Sequence, residues 1–175
     1  MLKQASRLLG IGPNDAMHVA EKLYLNGYIT YPRTESTAYS KNFDFYGILN
    51  SFSKANLPFS NYAGGIMNCY NKPKWGVDQG DHPPITPTNK VFKGGQGQDW
   101  KLYDFVCRHF LGTISQDAKF ANTNIQFASG EHTFKINGSI VKNKGFTEIT
   151  PWIRLSDKII PEFKKGESYY LKDLQ

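Results

Sequence analysis

Tyr31, Arg33 and Glu35 stand two residues apart in Tyr31-Pro32-Arg33-Thr34-Glu35-Ser36-Thr37, just after a helical pattern that ends at Asn26-Gly27. Proline fixes its own φ near about −65° and disfavours helical backbone for the residue before it, so Tyr31 is expected in extended chain. In extended chain alternate side chains share a face. That would gather a hydroxyl, a guanidinium and a carboxylate on one side and turn Thr34 and Ser36 to the other. Such a set suits attack of a phenol oxygen on a phosphodiester. A phenol gives up its proton in water only near about pH 10, and negative charge grows on the phosphoryl oxygens during attack. An arginine meets both demands, because it stays charged and its planar fork matches phosphate oxygens. Glu35 is the expected holder of that fork. A phosphotyrosine bond keeps the energy of the bond it replaces, so cutting and resealing would need no ATP.

The sequence has ten tyrosines, and a packing role is the ordinary reading of any one of them. Context singles out Tyr31. The string Asn26-Gly27-Tyr28-Ile29-Thr30-Tyr31-Pro32-Arg33-Thr34-Glu35-Ser36-Thr37 resembles the active-site signature of type IA DNA topoisomerases, whose nucleophile is the tyrosine before Pro-Arg-Thr. A second string, Asp81-His82-Pro83-Pro84-Ile85-Thr86-Pro87, resembles the same family's phosphate-contacting histidine segment. Gly10-Ile11-Gly12-Pro13, the run from Trp100 to Phe110, and Gly145-Phe146-Thr147-Glu148 with Pro151-Trp152 agree as well. Together they look most like a eukaryotic type III enzyme, and Gly80 with the second string, Asp81 to Pro87, resembles its beta branch more than its alpha branch. The resemblance implies that Tyr31, Arg33 and His82 are catalytic, and that Thr34, Glu35, Ser36 and Asp81 lie along bound DNA. It implies single-stranded DNA as the partner, with RNA as an alternative substrate and a Tudor-domain scaffold protein as a companion. It also implies nuclear residence, with the cytoplasm as a second location. The family's magnesium site is an acidic cluster in another domain. With no Asp-x-Asp here, no cofactor is expected in this chain.

Bulk properties agree. At 175 residues, 39% hydrophobic, the chain is long enough for one or two domains with a core, and disorder is not indicated. A formal charge of +6 and an isoelectric point of about 9.2 favour an anionic partner. Cys69 and Cys107 form neither a disulfide framework nor a Cys-x-x-Cys pair, which fits a reducing compartment. No apolar run is long enough to span a bilayer, and no signal peptide is apparent, so no membrane partner is expected. The chain opens already in a helical pattern, Leu2 to Leu9, and reads as a piece of a longer protein.

The fold class expected is α+β: a mainly helical, winged-helix-like (CAP-like) tyrosine domain over residues 1–114, then an antiparallel β segment of a gate or hinge domain over 115–175. Gly10 and Gly12 break the opening helix, Pro13 suits the first turn of the next, and Gly27 closes it. Ala16, Ala20, Leu23 and Tyr24 form its apolar stripe. Stripes at Phe45, Ile48, Leu49 and Phe52, and at Tyr62, Ile66, Met67 and Tyr70, predict two more helices. Glycine and proline dominate from Asn71 to Gln98, a long surface loop in which Pro83 and Pro84 stiffen the backbone after His82. A helix follows from about Asp99 to Ile114. Beyond it the apolar period falls to two, with hairpin signals at Ser129-Gly130-Glu131 and Asn137-Gly138.

Other candidates weigh less. His109 and Cys107 are two apart on a helix and do not face one zinc ion, and Asp78 and Asp81 read as a solvated turn. Lys3, Arg7, Lys22, Lys41 and Arg108 could meet phosphate but suit solvent equally. The main rival reading is a noncatalytic winged-helix nucleic-acid-binding module in which Tyr31 only packs. A noncatalytic scaffold that docks through its sheet edge is a further one. A tyrosine recombinase fits poorly, because its arginines and histidine precede the tyrosine, whereas Arg33 and His82 follow it.

Overall fold

The computed structural model describes residues 1–73, 75–80 and 82–170. Among these are five α-helices and one two-stranded antiparallel sheet, which makes the fold α+β. The chain divides into two compact units, one of Met1–Asp117 with Gly145–Arg154, the other of Ala118–Lys144 with the segment from Leu155.

In the first unit, α1 (Leu2–Gln4) runs on into a π-helical turn, Ala5–Leu9, that stops at Gly10 with φ 66°. Helix α2 (Pro13–Leu25) starts on its proline and ends in a left-handed Gly27, φ 75°. There the Gly27 amide donates to the Tyr24 carbonyl at 2.8 Å and the Tyr28 amide to the Leu23 carbonyl at 2.9 Å. This paired closure sets the direction in which the chain leaves the helix toward Tyr31. The buried stripe of α2 is Ala16, Val19, Ala20 and Leu23. Tyr24, expected on it, is 40% exposed, so the stripe is rotated toward Val19.

Helix α3 (Phe45–Ser53) is capped by Asp44, which accepts from the Gly47 amide at 2.8 Å, and it buries the four apolar residues expected of it. Helix α4 (Ser60–Ile66) is shorter than its pattern. Met67 forms its cap, Tyr70 lies past its end, and Ala63 with Ser60 faces the core instead. Helix α5 (Gln98–Thr113) packs on α2 and is buried around much of its girth, through Leu102, Tyr103, Phe105, Val106, Cys107, Phe110 and Leu111. Phe52 and Phe59 meet edge to face at 5.0 Å, and the Phe45 and Phe110 rings stack at 6.3 Å. Each such side chain removed from water contributes roughly 1.5–3 kcal/mol. The returning Gly145–Arg154 places Trp152 on Phe105, ring centroids 4.9 Å apart.

In the second unit, β1 (Lys119–Ser129) pairs with β2 (His132–Asn143), Ile125 opposite Ile136 and Phe127 opposite Phe134. The chain reverses at Gly130, φ 60°. It does not turn at Asn137-Gly138, which instead lie inside β2 opposite Asn124 and Thr123. Close approach explains that glycine: a Cβ at 138 would come within 2.8 Å of the Ile160 side chain. Residue 158 runs along this edge, exchanging backbone hydrogen bonds with Ser139 at 2.8 and 2.9 Å.

Candidate active site

Tyr31 is reached through a short ladder. The Thr30 amide donates to the Thr86 carbonyl at 2.9 Å, the Thr88 amide to the Tyr28 carbonyl at 3.1 Å, and Ile29 bridges Pro87. The Thr30 hydroxyl reinforces it, donating to the Pro84 carbonyl and accepting from the Thr86 amide, both at 2.8 Å. Beyond Tyr31 the same loop is stitched on again. Thr34 Oγ1 donates to the His82 carbonyl at 3.1 Å, and Ser36 Oγ accepts from the Gln79 amide at 3.0 Å. Val77 and Thr37 then exchange bonds at 2.8 and 2.9 Å. A stretch rich in glycine and proline is thereby held in register against the tyrosine segment, because its backbone groups find partners there rather than in a helix.

The result is an aromatic group of three. The Tyr31 and His82 rings lie 4.5 Å apart, and Tyr24 meets Tyr31 edge-on at 5.2 Å. Tyr31 is half-buried and His82 exposed. Arg33 is fixed from α2, where Glu21 Oε1 accepts from Nη2 at 2.6 Å and from Nε at 3.1 Å. The hydrogen bond and charge of Glu21 push the guanidinium pKa up, and the neighbouring Tyr31 oxygen adds in the same direction. An open groove of about 700 Å³ lies at Arg33, bordered by Lys3, Met17, Pro32, Thr34, Glu35 and Ile85 among others. A phenol oxygen beside an imidazole and a fixed cation is an arrangement chemically able to attack a phosphorus centre and steady the charge that develops.

Of the residues expected from sequence, Tyr31, Arg33 and His82 come together from positions up to 51 apart in the chain. Glu35 is exposed and borders the groove, but it does not hold Arg33. The chain bends at Pro32 and Arg33, so the alternation that would have put Arg33 and Glu35 on one face is broken, and the helix supplies the carboxylate. Thr34 and Ser36 turn their hydroxyls to the loop, and Ser36 is only 5% exposed. Asp81 lies outside the described residues. Glu21 and Thr30 went unremarked as site residues in the sequence. The signals for them were modest: an acidic residue on the solvent face of the helix leading to Tyr31, and a hydroxyl beside that tyrosine.

Among the described residues, no group of three or more His, Cys, Asp or Glu side chains converges as a metal ligand set. No described helix is long and apolar enough to cross a membrane.

The sequence model described as DNA topoisomerase matches residues 1–175. The chain belongs to the DNA topoisomerase family. It is 48% identical over 170 residues to DNA topoisomerase 3-beta of Oryza sativa, covering 96% of this chain and 20% of the relative. It is 41% identical over 175 residues to DNA topoisomerase 3-beta-1 of Homo sapiens, covering 97% of this chain and 20% of the relative. Against DNA topoisomerase 3-alpha of Homo sapiens identity falls to 32% over 169 residues, covering 95% and 17%. These topoisomerase relatives are type IA, and the higher identities lie on the beta side, as the second motif suggested. The chain spans about a fifth of the length of the curated relatives it matches.

Proposed function

We propose that this chain is the portion of a type IA DNA topoisomerase that carries the nucleophile, a winged-helix-like domain, followed by part of the gate. The Tyr31 oxygen gives up its proton, attacks a backbone phosphorus and forms a 5′-phosphotyrosine bond as the bond from phosphorus to the 3′ oxygen breaks, and that oxygen takes up a proton to leave as the 3′ hydroxyl. Another strand passes through the break. The 3′ hydroxyl then attacks the phosphotyrosine and frees Tyr31, so bond energy is conserved and ATP is not needed. Arg33 and His82 donate to the non-bridging oxygens while charge develops. Thr34 and Ser36 serve the strand by holding the His82 loop, and Glu35 and Asp81 flank its path. Magnesium ion, which supplies charge neutralisation at the phosphate, would be held by an acidic domain outside this chain, as would the groups that move the Tyr31 proton.

One observation carries the reading: the Tyr31 and His82 rings are 4.5 Å apart although the residues are far apart in sequence. Charge of +6 supports single-stranded DNA as partner, with RNA as the alternative substrate. The beta-type likeness supports a Tudor-domain scaffold protein as companion, and nuclear residence with a cytoplasmic share. The test uses a full-length protein containing this chain, a labelled single-stranded oligonucleotide and a denaturing gel. A covalent adduct is expected with the natural sequence and none with Tyr31→Phe, while strand affinity is retained. An adduct that survives the substitution would place the nucleophile elsewhere, and one that never forms would favour the noncatalytic binding module.

A further inference from the structure

We infer that Glu21 is a positioning residue for strand cleavage: it grips the Arg33 guanidinium by one side and leaves the other side aimed at the phosphate beside Tyr31. This rests on the cleavage chemistry proposed above. Both contacts use a single carboxylate oxygen, Oε1, and both fall on the Nε and Nη2 edge of the fork, at 3.1 and 2.6 Å. Nη1 and the second hydrogen of Nη2 are left over, which is the edge that meets a phosphate in a two-point contact. The Arg33 side chain is 59% exposed and borders the groove, so those hydrogens are open to a strand lying in it.

The pair is poorly explained as a stabilising device. Exposed ion pairs contribute little to folding, and Glu21 is itself 37% exposed. It is better explained as preorganisation. An unrestrained arginine samples many rotamers and would have to be ordered during each attack, whereas a carboxylate on the last turns of α2 orders it in advance. The closure of α2 at Gly27 places Glu21 and Tyr31 on one continuous piece of backbone, so the grip and the nucleophile share a common reference.

The experiment is single-turnover cleavage of a labelled oligonucleotide by the full-length protein, with Glu21→Ala, Arg33→Ala and the double variant, and with affinity measured separately. Glu21→Ala is expected to slow cleavage roughly ten- to a hundredfold with affinity little changed, as a misplaced catalytic group would. The double variant should cleave no more slowly than Arg33→Ala alone, because Glu21 acts through Arg33. Glu21→Gln, which keeps the shape and one accepting oxygen, should fall between and guards against a folding defect. Losses that add in the double variant, equal losses in affinity and rate, or an unchanged or faster rate in Glu21→Ala would each overturn the inference. If Tyr31→Phe still forms the adduct, the cleavage assignment itself fails. If Tyr31→Phe is dead and Glu21→Ala cleaves normally, only the positioning role does.

Discussion

Replacing Thr30 by valine keeps the branched shape and removes one oxygen, which isolates what that oxygen does for the His82 loop. It accepts from the Thr86 amide at 2.8 Å and donates to the Pro84 carbonyl at 2.8 Å. Thr86 is 1% exposed, so its amide, once deprived of the hydroxyl, has no water to turn to. An orphaned buried donor costs about 1–3 kcal/mol, and the lost bond to the half-buried Pro84 carbonyl roughly another 0.5–1.5 kcal/mol. The backbone bonds from Thr30 to Thr86 and from Thr88 to Tyr28 remain, so the ladder should loosen rather than dissolve. At about 1.4 kcal/mol per decade, the Thr86 amide should exchange its hydrogen at least roughly tenfold faster. Hydrogen exchange on the 175-residue chain measures this directly. Thr30→Ser retains the oxygen and should retain most of the protection. In a full-length protein the loosened loop should slow adduct formation, because His82 hangs from it. If the Thr86 amide is as protected in the valine variant as in the natural chain, or if serine behaves like valine, then the hydroxyl is not what holds the loop.

Three further outcomes follow from particular contacts. Gly138→Val should destabilise the hairpin by about 1–3 kcal/mol in thermal unfolding, because a Cβ there meets Ile160 at 2.8 Å; strand preference alone would predict the opposite sign. The Tyr103 phenol is pushed well above its ordinary range, chiefly by burial, so above about pH 10 the unfolded chain loses a proton that the folded chain keeps. Stability should therefore be full below that pH and fall as pH rises through it. Tyr103→Phe should flatten the fall in denaturant titrations at pH 9 to 11, and an unchanged slope would refute the assignment. Finally, the 175 residues alone should neither relax nor decatenate DNA, since they span about a fifth of the length of the relatives they match and carry no Asp-x-Asp; robust relaxation by the purified chain would contradict the proposal.

The parts of the structure legible in the sequence were those set by local rules. Phe45, Ile48, Leu49 and Phe52 sit at helical spacing, and all four are buried as that spacing requires. Gly27 was readable as a helix stop, and its positive φ serves that purpose. Where a second element intervenes, the same rules mislead. Tyr24 falls at the edge of its stripe, and in a helix packed on α5 it is Val19 that is buried instead. Asn137-Gly138 has the composition of a tight turn, but β2 continues because the glycine makes room for the segment carrying Ile160. In each case the deciding partner is distant in sequence, so no window along the chain contains it.

The candidate site divides along the same line, and the division bears on how such a site works. The order of Tyr31, Pro32 and Arg33 is local and could be read directly. The group that holds the guanidinium is not local: it lies twelve residues back on a helix, and a bend at Pro32 and Arg33 removes the nearer carboxylate from contention. Likewise the imidazole arrives through hydroxyls at 30, 34 and 36, side chains that attract no notice as catalysts. The chemically conspicuous residues are thus the exposed ends of a frame built from inconspicuous ones. A phosphate brought to Tyr31 would meet a phenol whose ring lies 4.5 Å from the His82 imidazole, and a cation already held from α2. Little ordering then remains to be done at the moment of attack, which is the condition under which fixed donors lower a barrier most.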